Sequence, residues 1–168
     1  MTRLVIHTDS AESTGLVGRL LGSLVRVGDV LLLSGDLGAG KTQLVKGVAQ
    51  GLGVAEPVTS PTFNILLVHE ARVPLYHVDL YRLDRPEHLE DIDYFGTLEA
   101  GGVVAVEWGD RFAEAAPPDH LGITLHIVGD TERRLDVDPV GPRSDELARE
   151  LGLAAARLDG VRVEGAAS

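Results

Sequence analysis

The sequence has 168 residues and carries 15 Lys and Arg residues against 26 Asp and Glu residues, a formal net charge of −11. This length suits one domain, and the absence of cysteine excludes a disulfide framework, a cysteine-ligated metal centre and a cysteine nucleophile. Because nucleic-acid-binding surfaces usually carry excess positive charge, the acidic balance argues against a large surface for nucleic acid. The aliphatic runs are too short for a membrane helix and the N-terminus lacks a signal-peptide pattern, so we expect a cytoplasmic protein.

The first quarter of the chain alternates between apolar strands and an amphipathic helix. A strand is predicted over residues 3–7, followed by a helix that Ser10 or Ser13 caps and whose apolar stripe ends at Leu24. Residues 30–33 are uniformly aliphatic, which is typical of a strand that is buried on both faces.

A glycine-rich segment then leads into a second amphipathic helix, which is predicted from about Lys41 to Gly53. After a loop, two strand-like runs over residues 63–68 and 73–80 are joined by a short polar turn. This arrangement predicts an antiparallel hairpin.

The second half of the chain repeats the mixture of short helices and strands. Asp84, with a proline two residues later, predicts the start of a short acidic helix. Residues 103–106 form an apolar strand, and residues 123–127 and 135–137 alternate as a second hairpin does. Ser144 is predicted to cap a last helix, after which the end of the chain is expected to fray.

This order of elements predicts an α/β fold, with a mixed sheet flanked by helices and β-hairpins. We see no internal repeat and no linker that would divide the chain.

One segment matches the phosphate-loop pattern G-x-x-x-x-G-K-[ST] at every specified position. It consists of Gly35, Asp36, Leu37, Gly38, Ala39, Gly40, Lys41 and Thr42. Glycines let backbone N–H groups converge on phosphate oxygens, and the N-terminus of the next helix adds the positive end of its dipole. In such loops the lysine reaches the terminal phosphates and the hydroxyl binds Mg²⁺. A glycine-rich turn with a coincidental lysine is the alternative, but the position between strand and helix favours phosphate binding.

Hydrolysis also needs a carboxylate beside Mg²⁺ and a group that positions water. Glu107 ends a buried strand, where such an acid belongs, and Asp79 ends another strand; each could instead be an ordinary exposed carboxylate. Thr62 lies in a Pro-flanked loop that could act as a GTPase-like switch or form a simple turn. Taken alone, Trp108 and His77 are more typical of core packing.

Together these motifs resemble the TsaE family (older name YjeE), the bacterial P-loop ATPases of tRNA threonylcarbamoyladenosine biosynthesis. The matching stretches are the glycine-rich segment over 35–42, Ser-Pro-Thr-Phe over 60–63, Tyr-His-Val-Asp-Leu-Tyr-Arg-Leu over 76–83 and Val-Glu-Trp over 106–108. Their order and spacing also match, so the resemblance covers about residues 3–140.

The resemblance implies a magnesium-dependent ATP hydrolase of the P-loop NTPase fold. ATP would lie over residues 35–42, with Mg²⁺ held by Thr42 and Glu107 and with Trp108 beside the nucleotide. The residues that the resemblance places in catalysis are Lys41, Asp79, Glu107 and Thr62. The ATPase domain would span 1–142, and the C-terminal helix and frayed tail over 143–168 match no pattern.

The resemblance further implies that the protein acts with the partner proteins TsaD and TsaB and meets tRNA only through that complex. The acidic balance fits docking to a protein that carries the tRNA site. Two other hypotheses stay open: a nucleotide-gated assembly switch, and a small-molecule kinase. A kinase would need a mobile arginine-bearing lid, whereas Arg133 and Arg134 lie in a predicted hairpin.

Overall fold

The computed structural model describes residues 2–58 and 65–165. In chain order its strands and helices are β1 (Leu4–Thr8), α1 (Ala11–Leu24), β2 (Val30–Ser34), α2 (Lys41–Leu52), β3 (Leu66–His69), β4 (Leu75–Asp79), α3 (His88–Asp91), α4 (Tyr94–Leu98), β5 (Val103–Glu107), β6 (His120–Ile127), β7 (Arg133–Val140), α5 (Pro142–Ala155) and β8 (Val161–Glu164). Both predicted hairpins are present, as β3–β4 and β6–β7. No helix within the described ranges is long and apolar enough to cross a bilayer.

The eight strands form one mixed sheet in the order β3-β4-β5-β2-β6-β7-β1-β8. The four central strands, β4, β5, β2 and β6, run parallel to one another. Strand β3 at one edge, and β7, β1 and β8 towards the other, pair antiparallel to their neighbours. Because the central strands are parallel, β4, β5 and β2 all end at the same edge of the sheet, where ligands of such sheets bind.

Apolar side chains cover both faces of the central strands β2 and β5, as the uniform aliphatic run of β2 predicts. Leu31 and Leu33 pack with α1, α2 and α5 on one face, whereas Val30 and Leu32 pack with α3 and α4 on the other. The predicted α/β fold with a mixed sheet, flanking helices and hairpins is confirmed.

Helices α1 and α2 approach each other unusually closely because glycines line their contact. Gly18 and Gly22 of α1 face Gly47 and Gly51 of α2. A Cβ atom on any of these glycines would lie 2.2 to 2.4 Å from a backbone carbonyl oxygen of the other helix. Since α2 begins at Lys41, this contact fixes the helix that carries the glycine-rich loop.

The start of α1 decides between the two serines that the sequence offered as caps. Ser10 is the N-cap: its hydroxyl accepts from the Ser13 N–H at 3.0 Å, and the Ser13 hydroxyl accepts from the Ser10 N–H at 3.0 Å. The pair forms a reciprocal capping box.

The helix predicted from Asp84 starts later than expected. It begins at His88, and residues 85–87 form a turn before it, with the His88 N–H donating to the Arg85 carbonyl. Arg85 precedes a proline, and a residue in that position is sterically disfavoured from helical backbone angles. The helix therefore cannot pass through Arg85.

The prediction that Ser144 caps the last helix is wrong. The N-cap of α5 is Gly141, and Ser144 lies buried inside the first turn. The Asp119 carboxylate takes the capping role from a distant loop: it accepts from the N–H groups of Arg143 and Ser144, both at 2.9 Å. Burial acts to raise the pKa of Asp119, but the hydrogen bond from the Ser144 hydroxyl, together with these two N–H groups, holds that pKa below its usual value.

The prediction of a frayed C-terminus is wrong for Val161–Glu164. These residues form β8, which pairs antiparallel with β1 at the sheet edge. Leu147 and Leu151 of α5 are buried in the same core as α1 and α2. Residues 143–165 therefore pack as part of the sheet and its helical layer.

Candidate functional site

A cavity of about 380 Å³ opens where β4 and β5 end beside the first turn of α2. Strand register explains this convergence, because Asp79 pairs with Glu107, and Glu107 pairs with Leu33, the penultimate residue of β2. The predicted site residues that line the cavity are Leu37, Gly38, Gly40, Lys41, Thr42, Asp79, Glu107 and Trp108. Residues far apart in sequence thus share one wall.

The other predicted site residues lie outside this cavity lining. Ala39 is fully buried behind the glycine-rich loop. Gly35 and Asp36 turn their carbonyl oxygens towards Lys41. Thr62, together with the Ser-Pro-Thr-Phe stretch, falls outside the described residues.

The glycine-rich loop depends on backbone angles that favour glycine. Gly35, Gly38 and Gly40 have φ values of 138°, 79° and 109°. A Cβ atom on Gly35 would also lie 2.5 Å from the Leu125 carbonyl oxygen of β6. Gly40 is the N-cap of α2 and supplies no side-chain acceptor, so the first amide groups of the helix remain available to an external acceptor.

Lys41 extends over the loop with little exposure to solvent. Its Nζ donates to the Gly35 and Asp36 carbonyl oxygens at 2.5 and 2.9 Å and lies 4.3 Å from the centre of the Trp108 ring. Burial lowers the pKa of Lys41, and the nearby Glu107 and Asp79 carboxylates act in the opposite direction. The lysine is therefore a desolvated cation that weak backbone acceptors hold in place.

Thr42 and Glu107 form a pair of oxygen groups beside this lysine. The Thr42 hydroxyl donates to the two Glu107 carboxylate oxygens at 3.1 and 3.2 Å. His77 Nε2 lies 2.5 Å from Glu107 Oε2, and both side chains are buried. The carboxylate is thus fixed from two sides.

His77, which its sequence context alone makes more typical of core packing, belongs to the site. It is fully buried, and its contact with Glu107 makes it a support for that carboxylate. One signal was present: His77 and Asp79 are two residues apart on a strand, so they face the same side of the sheet. Tyr81 and Arg82 also line the cavity; they belong to the matching stretch over 76–83, but no site role is predicted for them.

Trp108 adopts backbone angles that are rare for a large side chain. Its φ of 59° lies in the left-handed region, which costs energy for a residue other than glycine. This conformation places the ring beside Lys41 and 4.9 Å from the Tyr81 ring. Strain of this kind often accompanies functional positions. Trp108 therefore lines the site as well as packing against the core.

Asp79 sits at the cavity edge with its charge poorly solvated. Its Oδ1 accepts from the Tyr81 N–H at 2.9 Å. Burial is the main cause that raises the pKa of Asp79; the Glu107 carboxylate adds to this effect and the Tyr81 hydrogen bond opposes it. Ionised Asp79 is therefore less favourable in the folded protein than in the unfolded chain.

Asp79→Asn is accordingly expected to raise the melting temperature at pH 7, because asparagine keeps an acceptor for the Tyr81 N–H and removes the buried charge. The folded protein binds the Asp79 carboxyl proton more tightly than the unfolded chain does. Ionisation of Asp79 therefore lowers the free energy of unfolding as pH rises from the usual pKa of 3.8 through the raised value. The advantage of the variant should shrink as pH falls through the same window. Thermal melts across pH check this; lower stability of the variant at pH 7 would contradict it.

Comparisons with known proteins agree on one family. The model of the family described as "Threonylcarbamoyl adenosine biosynthesis protein TsaE" matches residues 8–135. The TsaE protein of Bacillus subtilis is 41% identical over 152 residues, which cover 90% of this chain and 95% of that protein. The TsaE protein of Streptomyces coelicolor is 44% identical over 135 residues, covering 76% and 90%. The curated name of both is tRNA threonylcarbamoyladenosine biosynthesis protein TsaE.

A solved structure shows the same fold. The crystal structure of Bacillus subtilis YdiB superposes with a TM-score of 0.77 at 35% sequence identity, covering 92% of this chain and 97% of that one. The family match spans the glycine-rich loop, Asp79, Glu107 and Trp108. The chain therefore belongs to the TsaE family.

Proposed function

We propose that this chain binds ATP with Mg²⁺ over residues 35–42, hydrolyses the nucleotide, and acts through the TsaD–TsaB complex in tRNA threonylcarbamoyladenosine biosynthesis. The observation that carries the proposal is the convergence of Lys41, Thr42 and Glu107 on one cavity at the N-terminus of α2. Membership of the TsaE family supplies the pathway.

The loop and Lys41 have the chemistry to hold the phosphates. Available amide groups at the start of α2 and the positive end of its dipole attract anions. The Lys41 ammonium is held by two carbonyl oxygens, and phosphate oxygens would be stronger acceptors for it. A desolvated cation at this position attracts the developing negative charge of phosphoryl transfer.

The donor set also fits Mg²⁺. Thr42 and Glu107 offer hard oxygen ligands within hydrogen-bond distance of each other. In residues 2–58 and 65–165 no group of three or more acidic or histidine side chains could hold a metal by itself. Mg²⁺ does not need such a cage, because it binds through one or two protein oxygens together with phosphates and water. When bound, Mg²⁺ would neutralise charge on the transferring phosphoryl group.

His77 and Asp79 have positioning roles in this proposal. His77 contacts the Glu107 carboxylate and fixes its orientation, as supporting residues of metal ligands do. The Asp79 carboxylate faces the same cavity and would orient the attacking water and accept its proton; its raised pKa makes it a better base than an exposed aspartate. A switch role for Thr62, through contact with the γ-phosphate, stays a prediction.

Glu107→Gln is expected to lower ATP hydrolysis about 100-fold or more and to raise the Mg²⁺ concentration that gives half-maximal rate. The isosteric amide keeps an acceptor for Thr42 but loses the charge that attracts the cation. Hydrolysis should be measured across Mg²⁺ concentrations, together with ATP binding by calorimetry and a thermal melt.

Asp110→Asn is the matched control, because Asp110 is an exposed acid that also acts on the Lys41 pKa but does not line the cavity. It should keep both the rate and the Mg²⁺ dependence. Loss of activity in Glu107→Gln without any change in Mg²⁺ dependence, and with a much lower melting temperature, would make Glu107 structural.

A further inference from the structure

Arg133 links the β6–β7 hairpin to the back of the glycine-rich loop. Within the described part of the chain its guanidinium donates only to backbone carbonyl oxygens: Nε to Ala39 at 3.1 Å, Nη2 to Gly38 at 3.3 Å, and Nη1 to Gly129 and Glu132, both at 2.9 Å. No carboxylate among the described residues forms an ion pair with it. The fork thus joins two carbonyls of the loop to two carbonyls of the hairpin turn.

These hydrogen bonds determine which way the loop amides point. In a planar trans peptide the C=O and the following N–H point in opposite directions, and none of the described peptide bonds is cis. The Ala39 carbonyl faces Arg133, so the Gly40 N–H turns away from the hairpin, on the side where Gly40 lines the cavity. The Gly38 carbonyl also faces Arg133, and the Ala39 N–H closes a turn onto the Asp36 carbonyl at 3.0 Å.

The loop needs such an anchor because glycine gives it many alternative conformations. Gly38 and Gly40, which flank the anchored peptides, both have positive φ, and a Cβ atom on Gly38 would meet nothing within 4 Å. Ordering flexible glycine backbone at the moment of binding costs entropy, and a loop that is already ordered avoids that cost.

We propose that Arg133 is a positioning residue for phosphate binding, which holds the glycine-rich loop so that the Gly40 amide faces the phosphates of a nucleoside triphosphate. This inference rests on the proposed nucleotide binding and adds a residue outside the phosphate-loop motif. Arg133 lies on the β6–β7 hairpin and affects phosphate binding through its hydrogen bonds to the loop backbone.

Arg134 provides a matched control next to it. Successive residues of a strand point to opposite faces, and Arg134 Nε bonds to Asp136 Oδ1 at 3.1 Å instead of to the loop. Both arginines are partly buried. Replacing either removes one positive charge, but only Arg133 touches the loop.

The test compares Arg133→Met, Arg133→Lys and Arg134→Met with the wild-type chain by calorimetric titration of ATP, with urea denaturation of each protein. We expect both Arg133 variants to bind ATP about tenfold more weakly, because a single ammonium cannot bridge the Gly38 and Ala39 carbonyls in the place of a fork. Arg134→Met should bind within about twofold of wild type. Hydrogen exchange without nucleotide should be faster at Ala39, whose N–H is bonded to the Asp36 carbonyl, in the Arg133 variants only.

Wild-type affinity in either Arg133 variant would overturn the inference, even if that variant were less stable in urea, because Arg133 would then serve the fold alone. Equal weakening in Arg134→Met would also overturn it, since a general loss of charge would be the cause. Failure of the wild-type chain to bind ATP would overturn the proposed function itself, which separates the two claims.

Discussion

Lys41→Ala is expected to lower ATP hydrolysis about 10³-fold, because the proposed function makes the ammonium the charged donor to the phosphates. The side chain packs over the loop without entering the apolar core, and its contacts are two backbone carbonyls and the face of Trp108. Burial lowers the pKa of this lysine, so the folded protein pays a desolvation cost to keep it charged. Removal of the charge should therefore leave the fold intact.

Lys46→Ala is the matched control for this prediction. Lys46 is the other lysine of the chain, lies on the same helix and is exposed to solvent. Rates of hydrolysis and melting temperatures of both variants should be compared with wild type. Hydrolysis by Lys41→Ala at a rate close to that of Lys46→Ala would show that the glycine-rich loop is not part of the catalytic site.

Gly47→Ala is expected to lower the free energy of unfolding by about 3 kcal/mol, at the upper end of overpacking effects. The added Cβ atom would lie 2.2 Å from the Gly15 carbonyl oxygen and 2.9 Å from the Arg19 nitrogen of α1. These are backbone atoms that cannot move unless the helices separate. Separation would also displace the start of α2 and weaken ATP binding.

Gly15→Ala tests the same helix pair without the clash. Its Cβ atom would meet only the Gln43 side-chain nitrogen, at 3.1 Å, which can rotate away. Because alanine favours helix over glycine by up to about 1 kcal/mol, this variant should match or exceed wild-type stability. Urea denaturation of both proteins gives the comparison, and equal stability of the two variants would show that the helix contact tolerates a wider spacing.

The sequence predicts those parts of the molecule whose signals are local. Apolar periodicity and a capping serine locate α1, the uniform aliphatic run locates β2, and Gly53 marks the end of α2. The convergence of Asp79 and Glu107 is also predictable, because residues that end parallel strands meet at one edge.

The features that escaped prediction depend on partners far away in sequence. Asp119 caps α5 from 24 residues upstream of Arg143, and β8 exists only because β1 offers it a free edge. His77 and Arg133 look like an ordinary strand histidine and an ordinary hairpin arginine until Glu107 and the glycine-rich loop lie against them. Local patterns carry no information about such contacts.

The most direct measurement is the rate of ATP hydrolysis by the purified chain, alone and titrated with the TsaD–TsaB complex, with threonylcarbamoyl-modified tRNA scored in the same reactions. A Mg²⁺-dependent ATPase coupled to the complex predicts stimulated hydrolysis and modified tRNA with the wild-type chain, and neither with Lys41→Ala. Assembly of the complex and modified tRNA without stimulated hydrolysis, at equal levels for both proteins, would contradict this function.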